Sequence, residues 1–245
     1  MIRRIFRMRN VVAVAICLAA SCGLMNCKPD CDKTDPKSSC YVPDTDKLGD
    51  KRIKDKDGNI YTEVTIGAQT WLKENMKTTT YQDGTPITNM TSDAAWASAV
   101  SGGYCWYNNS ESNKNTYGAL YNFYVANSGK ICPEGWHVPS TSDWHELINN
   151  CGKEATAGIQ LKEAGTTHWV EAGGTNASGF TALPGGQRTD DGTFYSLHDL
   201  ASFWTVIQIS ANDAEKVFME AVSNSASVSS TPIKSGLSIR CIKNE

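Results

Sequence analysis

The chain has 245 residues, 40% of them hydrophobic and 20% charged, with a formal net charge of −3. That length suits one domain with a sizeable core. Its 23 basic residues do not outnumber its 26 acidic ones and form no clustered patch, so nucleic acid is not expected as a partner.

The N-terminus reads as an export signal. Arg3, Arg4, Arg7 and Arg9 precede an apolar run from Val11 to Ala20, which is too short to span a bilayer. Ala19-Ala20-Ser21-Cys22 then resembles a lipobox, with the lipid on Cys22. Cys27 is the rival, but Asn26 is a poor residue at a cleaved position. The expected division is a signal peptide over 1–21, a flexible tether over 22–52 and one domain over 53–245. Without the signal, 19 basic residues face 26 acidic ones, a net charge of −7. A lipid, and no basic face, would then hold the protein at a membrane. The expected address is the cell envelope, at the outer membrane or cell surface.

The tether is rich in Lys, Asp, Pro and Ser and cannot bury enough surface to offset ordering. Asp57-Gly58 then marks a hairpin turn. Ile60, Thr62, Val64 and Ile66 share one face of a strand, and Thr70-Trp71-Leu72 makes a second. Asp83-Gly84 is another turn. Ser92 caps a short helix reaching Val100, and Tyr104 to Tyr107 is strand-like. A polar loop follows from Asn108 to Asn115. Tyr117 to Ala126 reads as a helix with Leu120, Phe123 and Tyr124 on one face. Ser140 or Thr141 caps a second helix, Asp143 to Cys151, which places Trp144, Leu147 and Ile148 together and ends at Gly152. Beyond Gly173 short strands are expected at 179–183, 202–207, 217–222 and 236–242. Two helices among short, largely antiparallel strands make an α+β domain.

Export implies an oxidising compartment, so cysteines can pair. Cys17 leaves with the signal, and Cys27, Cys31 and Cys40 lie in the tether. Cys105, Cys132, Cys151 and Cys241 lie in the domain, where three pairings are open. Asp55-Lys56-Asp57-Gly58-Asn59 invites a calcium-loop reading, but the twelfth position counted from Asp55 is Ile66 where a Glu is needed. His145-Glu146 starts a zinc-protease pattern, but Asn149 stands where the second His belongs. His137, His168 and His198 are scattered. No metal, cofactor or catalytic set is expected. Among the aromatic residues, Trp71, Trp136, Trp144 and Trp204 lie in apolar patterns and read as core. Trp106, Tyr107 and Trp169 adjoin polar loops and are the candidate ligand-binding rings.

Several segments in order, "GNIYTEVTIGAQTWLKENMKTTTYQDGTPI", "YGALYNFY", "CPEGWHVPSTSDWHEL", "GFTALPGGQR" and "GLSIRCIK", resemble the Fibrobacter succinogenes major paralogous domain family over about residues 53–243. The resemblance implies a secreted or lipid-anchored bacterial module with no firmly assigned activity. It also implies a C-type-lectin-like fold, shared with formylglycine-generating enzymes, and a Cys132–Cys241 disulfide tying the middle of the domain to its end. Cys105 and Cys151 remain open between pairing and buried thiols. The Glu-Pro-Asn, Gln-Pro-Asp and Trp-Asn-Asp triplets with which such lectins hold calcium and sugar do not occur. The expected role is therefore non-catalytic binding or display, toward glycan or an envelope protein. An enzyme of the formylglycine-generating outline and a structural assembly subunit are the rival readings.

Overall fold

The computed structural model describes residues 52–245. The expected signal peptide, Cys22, its rival Cys27 and the tether up to residue 51 lie outside the described residues.

Ile53–Lys54 (β1) and Ile60–Tyr61 (β2) pair antiparallel around a turn in which Gly58 takes φ +78°, a conformation glycine adopts without strain. Asp55 accepts the N–H groups of Asp57 and Asn59 and the Tyr61 hydroxyl, at 3.0, 2.9 and 2.6 Å. Asp57 accepts the N–H and hydroxyl of Thr79. Both carboxylates are spent on protein donors, which fits the hairpin and not the calcium loop.

The continuous strand expected through Ile66 is interrupted at Thr62. Its N–H goes to the Glu74 carboxylate and its carbonyl receives the Lys73 N–H. Glu63–Ile66 (β3) then pairs with Gln69–Leu72 (β4) across Gly67-Ala68. The expected apolar face is therefore split: Tyr61 and Ile66 are buried and Ile60 is exposed.

Thr88–Asn89 (β5) is followed by Asp93–Ala97 (α1), whose Ser92 cap accepts the Ala95 N–H and whose Trp96 is buried. Gly103–Cys105 (β6) runs parallel to β5. The helix expected from Tyr117 to Ala126 is three elements: Lys114–Tyr117 (α2), Leu120–Tyr121 (β7) and Phe123–Ala126 (α3). Gly118 stops the first at φ +77°, where a Cβ would stand 2.7 Å from the Met76 carbonyl. Tyr121 then exchanges both backbone hydrogen bonds with Leu237, at 2.9 and 3.0 Å. That tertiary pairing replaces the helical ladder the apolar spacing suggests.

Trp136–His137 (β8) leads to Thr141–Asn150 (α4). Ser140 is the cap: its hydroxyl accepts the Asp143 N–H while the Asp143 carboxylate accepts the Ser140 N–H. Glu154–Leu161 (α5), which the sequence pattern did not announce, follows without a side-chain cap. Its Gly158 lets the helix lie against the carbonyls of Asn224 and Ser225, where a Cβ would clash.

Gly185–Arg188 (β9) pairs with Phe194–Leu197 (β10). Leu200–Gln208 (β11), Asp213–Glu220 (β12) and Ser227–Pro232 (β13) form an antiparallel sheet, with Ser202 opposite Phe218 and Phe218 opposite Ser227. The strand expected at 179–183 is reduced to a single bridge between Ala182 and Lys162. The strand expected at 236–242 is bridges at Gly236, Leu237 and Ser238 followed by Ile242–Lys243 (β14). β14 lies between β4 and β8, so the last strand closes the sheet that β3 opened. The fold is α+β, with Cys132 and Cys241 joined by a disulfide. Cys105 and Cys151 are unpaired buried thiols.

The centre of the domain is aromatic. Trp144 lies 4.9 Å from Trp71, 5.3 Å from Phe203 and 5.7 Å from Phe180, centroid to centroid. Trp71, Trp144 and Trp204 are fully buried, as expected. Trp136 is a correction, being only partly buried under the Lys243 ammonium.

Candidate functional site

The three expected ligand-binding rings are core residues. Trp106, Tyr107 and Trp169 are 7%, 7% and 2% exposed. Trp106 packs edge-on to Tyr104, Tyr107 packs on Phe194, and Trp169 donates its indole N–H to the Ala182 carbonyl at 3.0 Å. Flanking polar residues had suggested exposure. The neighbouring loops instead fold back over the rings, because so much aromatic area is worth more removed from water.

A different part of the chain makes a cleft. The motif Gly185-Gly186-Gln187-Arg188 is β9, and all four residues are buried. Gly186 takes φ +65°, and a Cβ there would meet the Tyr195 carbonyl at 2.8 Å and the Tyr107 ring at 2.6 Å. Only glycine lets β9 and β10 approach this closely over Tyr107. Arg188 lies between the rings of Trp96 and Phe194, each 4.6 Å away, and pairs with Asp93 at 2.7 Å. It locks the far end of the hairpin.

Gln187 does the reverse work, toward the surface. It is 3% exposed, and its side chain ties three strands together. Its oxygen accepts from the Ser202 hydroxyl on β11 at 3.2 Å and from the Lys216 ammonium on β12 at 3.3 Å. Its amide nitrogen donates to the Tyr195 hydroxyl on β10. A buried amide with this many partners holds them in one arrangement.

Tyr195 and Lys216, both held by Gln187, line a cleft of about 380 Å³ together with Ser196, Asp199, Phe218 and Glu220 among others. That volume lies within the small-molecule range. On β12, Val217 and Met219 turn into the core, so Lys216, Phe218 and Glu220 share the opposite face. The Lys216 ammonium sits 5.3 Å from the Phe218 ring centroid. Burial pulls the Lys216 pKa below the usual amine value, against the attraction of Glu220. Ser196 within β10 and His198 just after it take φ +61° and +71°. Left-handed backbone at two non-glycine residues costs on the order of 1 kcal/mol each and gathers at functional sites. The cleft thus offers two ring surfaces, two carboxylates, an amine and a hydroxyl.

Little else in the domain is poised for chemistry. The Cys105 thiol is buried and pushed up to about 12, and burial also raises Cys151. His137 bonds Asn244 at 2.7 Å, His168 bonds Glu163 at 2.9 Å and His198 bonds the His168 carbonyl at 2.8 Å. Among the described residues no three His, Cys, Asp or Glu side chains gather as a metal-ligand cluster.

No curated protein and no solved structure matches this chain. The model of the Fibrobacter succinogenes major domain matches residues 64–243, from β3 through the disulfide to β14 and across the whole Gln187 cleft. The chain therefore belongs to the Fibrobacter succinogenes major domain family.

Proposed function

We propose that the protein is a cell-envelope lipoprotein whose domain, of C-type-lectin-like outline, is a non-catalytic glycan-binding module. The observation that carries this reading is the cleft of Tyr195 and Lys216, both held by Gln187. Tyr195 and Phe218 present apolar ring surface to the faces of a sugar. Asp199 and Glu220 accept hydroxyl protons, and Lys216 donates to ring or hydroxyl oxygens. Gln187 fixes Tyr195 and Lys216 before ligand arrives, which lowers the ordering cost of binding. Calcium is not required, since the donors and acceptors are side chains already in place. The cysteines disfavour the formylglycine-generating reading. It needs reactive cysteines, whereas Cys132 and Cys241 are joined and Cys105 is buried with a raised pKa.

A glycan array probed with the exported chain is expected to show a signal that survives chelator. Tyr195→Ala and Phe218→Ala should each weaken binding by about 1–3 kcal/mol, read by calorimetry. Tyr195 is 40% exposed but accepts from the buried Gln187 amide, so a melting curve of Tyr195→Ala separates lost binding from the cost of leaving that amide unpaired. Binding that vanishes with chelator, or that ignores both substitutions, would overturn the reading, and capture of an envelope protein in place of sugar would favour display.

The anchor has its own test. Cys22→Ala should abolish incorporation of labelled lipid and release the protein from membranes. Label retained on that variant moves the site to Cys27, and absence of label on the unaltered chain defeats the lipoprotein proposal.

A further inference from the structure

A second cleft, of about 370 Å³, shares no lining residue with the first. Its walls include Lys73, Glu74, Asn75, Asn115, Thr116 and Arg240. Arg240 comes from the Ser-Ile-Arg-Cys segment beside the disulfide and is 1% exposed. Its guanidinium lies 4.5 Å from the Phe180 ring centroid. Nε and Nη2 donate to the Asn75 side-chain oxygen at 3.0 and 2.7 Å. Nη1 donates to the carbonyls of Leu72 and Phe180 at 3.2 and 2.8 Å.

All of these acceptors are neutral, and they occupy four of the five N–H groups a guanidinium carries. The second N–H of Nη2 has no acceptor among the described residues. Burying a charge is costly: burial lowers the Arg240 pKa and the nearby Glu74 carboxylate opposes that shift, but no carboxylate hydrogen-bonds the guanidinium. Arg188 has the Asp93 carboxylate at 2.7 Å. Lys162 places its ammonium on the carbonyls of Glu220, Ala221 and Ser223, one for each proton. Arg240 alone of these three keeps a spare donor, and it lines an open cleft.

His168 and Thr181 also line the cleft and are bonded to Glu163 and Asn176, while other wall residues keep unused donors. The Lys73 ammonium and the side chains of Asn115 and Thr116 make no hydrogen bond or ion pair among the described residues. The one carboxylate present, Glu74, is already engaged by the N–H and hydroxyl of Thr62, each at 2.8 Å. Two cations, Arg240 and Lys73, and several unused donors thus share the cleft with the single lining carboxylate of Glu74, on a chain that is acidic overall.

We propose that this cleft binds an anionic group of a small ligand, a carboxylate or a phosphate, with Arg240 and Lys73 as its charge partners and Asn115 and Thr116 as rim donors. Arg240 supplies a fixed, desolvated donor stacked on Phe180, and Lys73 supplies a mobile charge at the entrance. The site stands independently of the glycan reading.

The exported chain is titrated by nuclear magnetic resonance with sodium acetate, sodium glucuronate and inorganic phosphate, against sodium chloride at equal ionic strength. Saturable binding of at least one of the three anions, absent with chloride, is expected, and the tightest of them distinguishes carboxylate from phosphate. Lys73→Ala should weaken it about tenfold, as for loss of one charge-assisted hydrogen bond. Tyr195→Ala should leave it unchanged, which separates this site from the glycan cleft. Arg240→Lys keeps the charge and loses the fork, and it should also weaken binding. Because Arg240 lies in the core, Lys73→Ala carries the decision if that variant fails to fold. Absence of saturable binding by all three anions, or affinity unchanged in Lys73→Ala, overturns the proposal.

Discussion

Removing the Cys132–Cys241 disulfide is expected to destabilise the domain by about 2–5 kcal/mol. The bond closes a sequence separation of 109 residues, and in the chain-entropy account a loop that long restricts the unfolded state by about 4–5 kcal/mol. The native state also has much to lose at that end. Cys241 accepts the Leu72 N–H at 3.0 Å, and the next residue starts β14, the strand that joins β4 to β8. Freed from the disulfide, the terminal strand frays from the middle of a sheet and not from its edge. Urea unfolding of a Cys132→Ser, Cys241→Ser double variant should show a lower midpoint than the oxidised protein. Reduction of the unaltered chain should reproduce most of that shift. An unchanged midpoint, or recovery of both cysteines as free thiols from native protein, would contradict it.

Trp144→Ala should cost about 3–5 kcal/mol, the range for emptying a buried large aromatic site. The ring is fully buried and touches Trp71, Phe180 and Phe203, so it joins α4 to β4, to the segment before β9 and to β11. Three stiff aromatic neighbours cannot collapse far into the space it leaves. Its indole N–H has no acceptor among the described residues. Its contribution is therefore packing, and not a hydrogen bond. Trp144→Phe should accordingly retain well over half of the stability that Trp144→Ala loses. Equal losses in the two variants would show that packing is not what the residue supplies.

How far the sequence could be read depends on the range of the interactions involved. A cap at Ser140 or Thr141, which the structure fixes as Ser140, the Trp144-Leu147-Ile148 stripe, the Ser92 cap and the Asp57-Gly58 turn were all legible, because each is decided within about one turn of chain. The family was legible too, because it rests on whole segments in order, and the resemblance to it implied the disulfide partners that the residues alone left open. Tyr117 to Ala126 was not, since its helical spacing yields to backbone bonds with Leu237, more than a hundred residues away. α5 lacks a capping side chain, and β13 is half serine, so neither shows a pattern strong enough to announce it.

The candidate site follows the same division. One local signal for it existed: Lys216, Phe218 and Glu220 alternate with Val217 and Met219, which marks a strand with a polar and aromatic outer face. Nothing local could say that Gln187 would hold Tyr195 and Lys216 together. Polar neighbours pointed to Trp106, Tyr107 and Trp169, and long-range folding buried all three. By itself the sequence determined the α+β class and the capped helix, through short-range hydrogen bonding, and the family, through ordered motifs; the cysteine pair came only with the family resemblance, since the residues left three pairings open. Only the tertiary structure decided which rings are exposed, which buried cations hydrogen-bond a carboxylate and where the clefts lie, because burial is settled by elements distant in the chain.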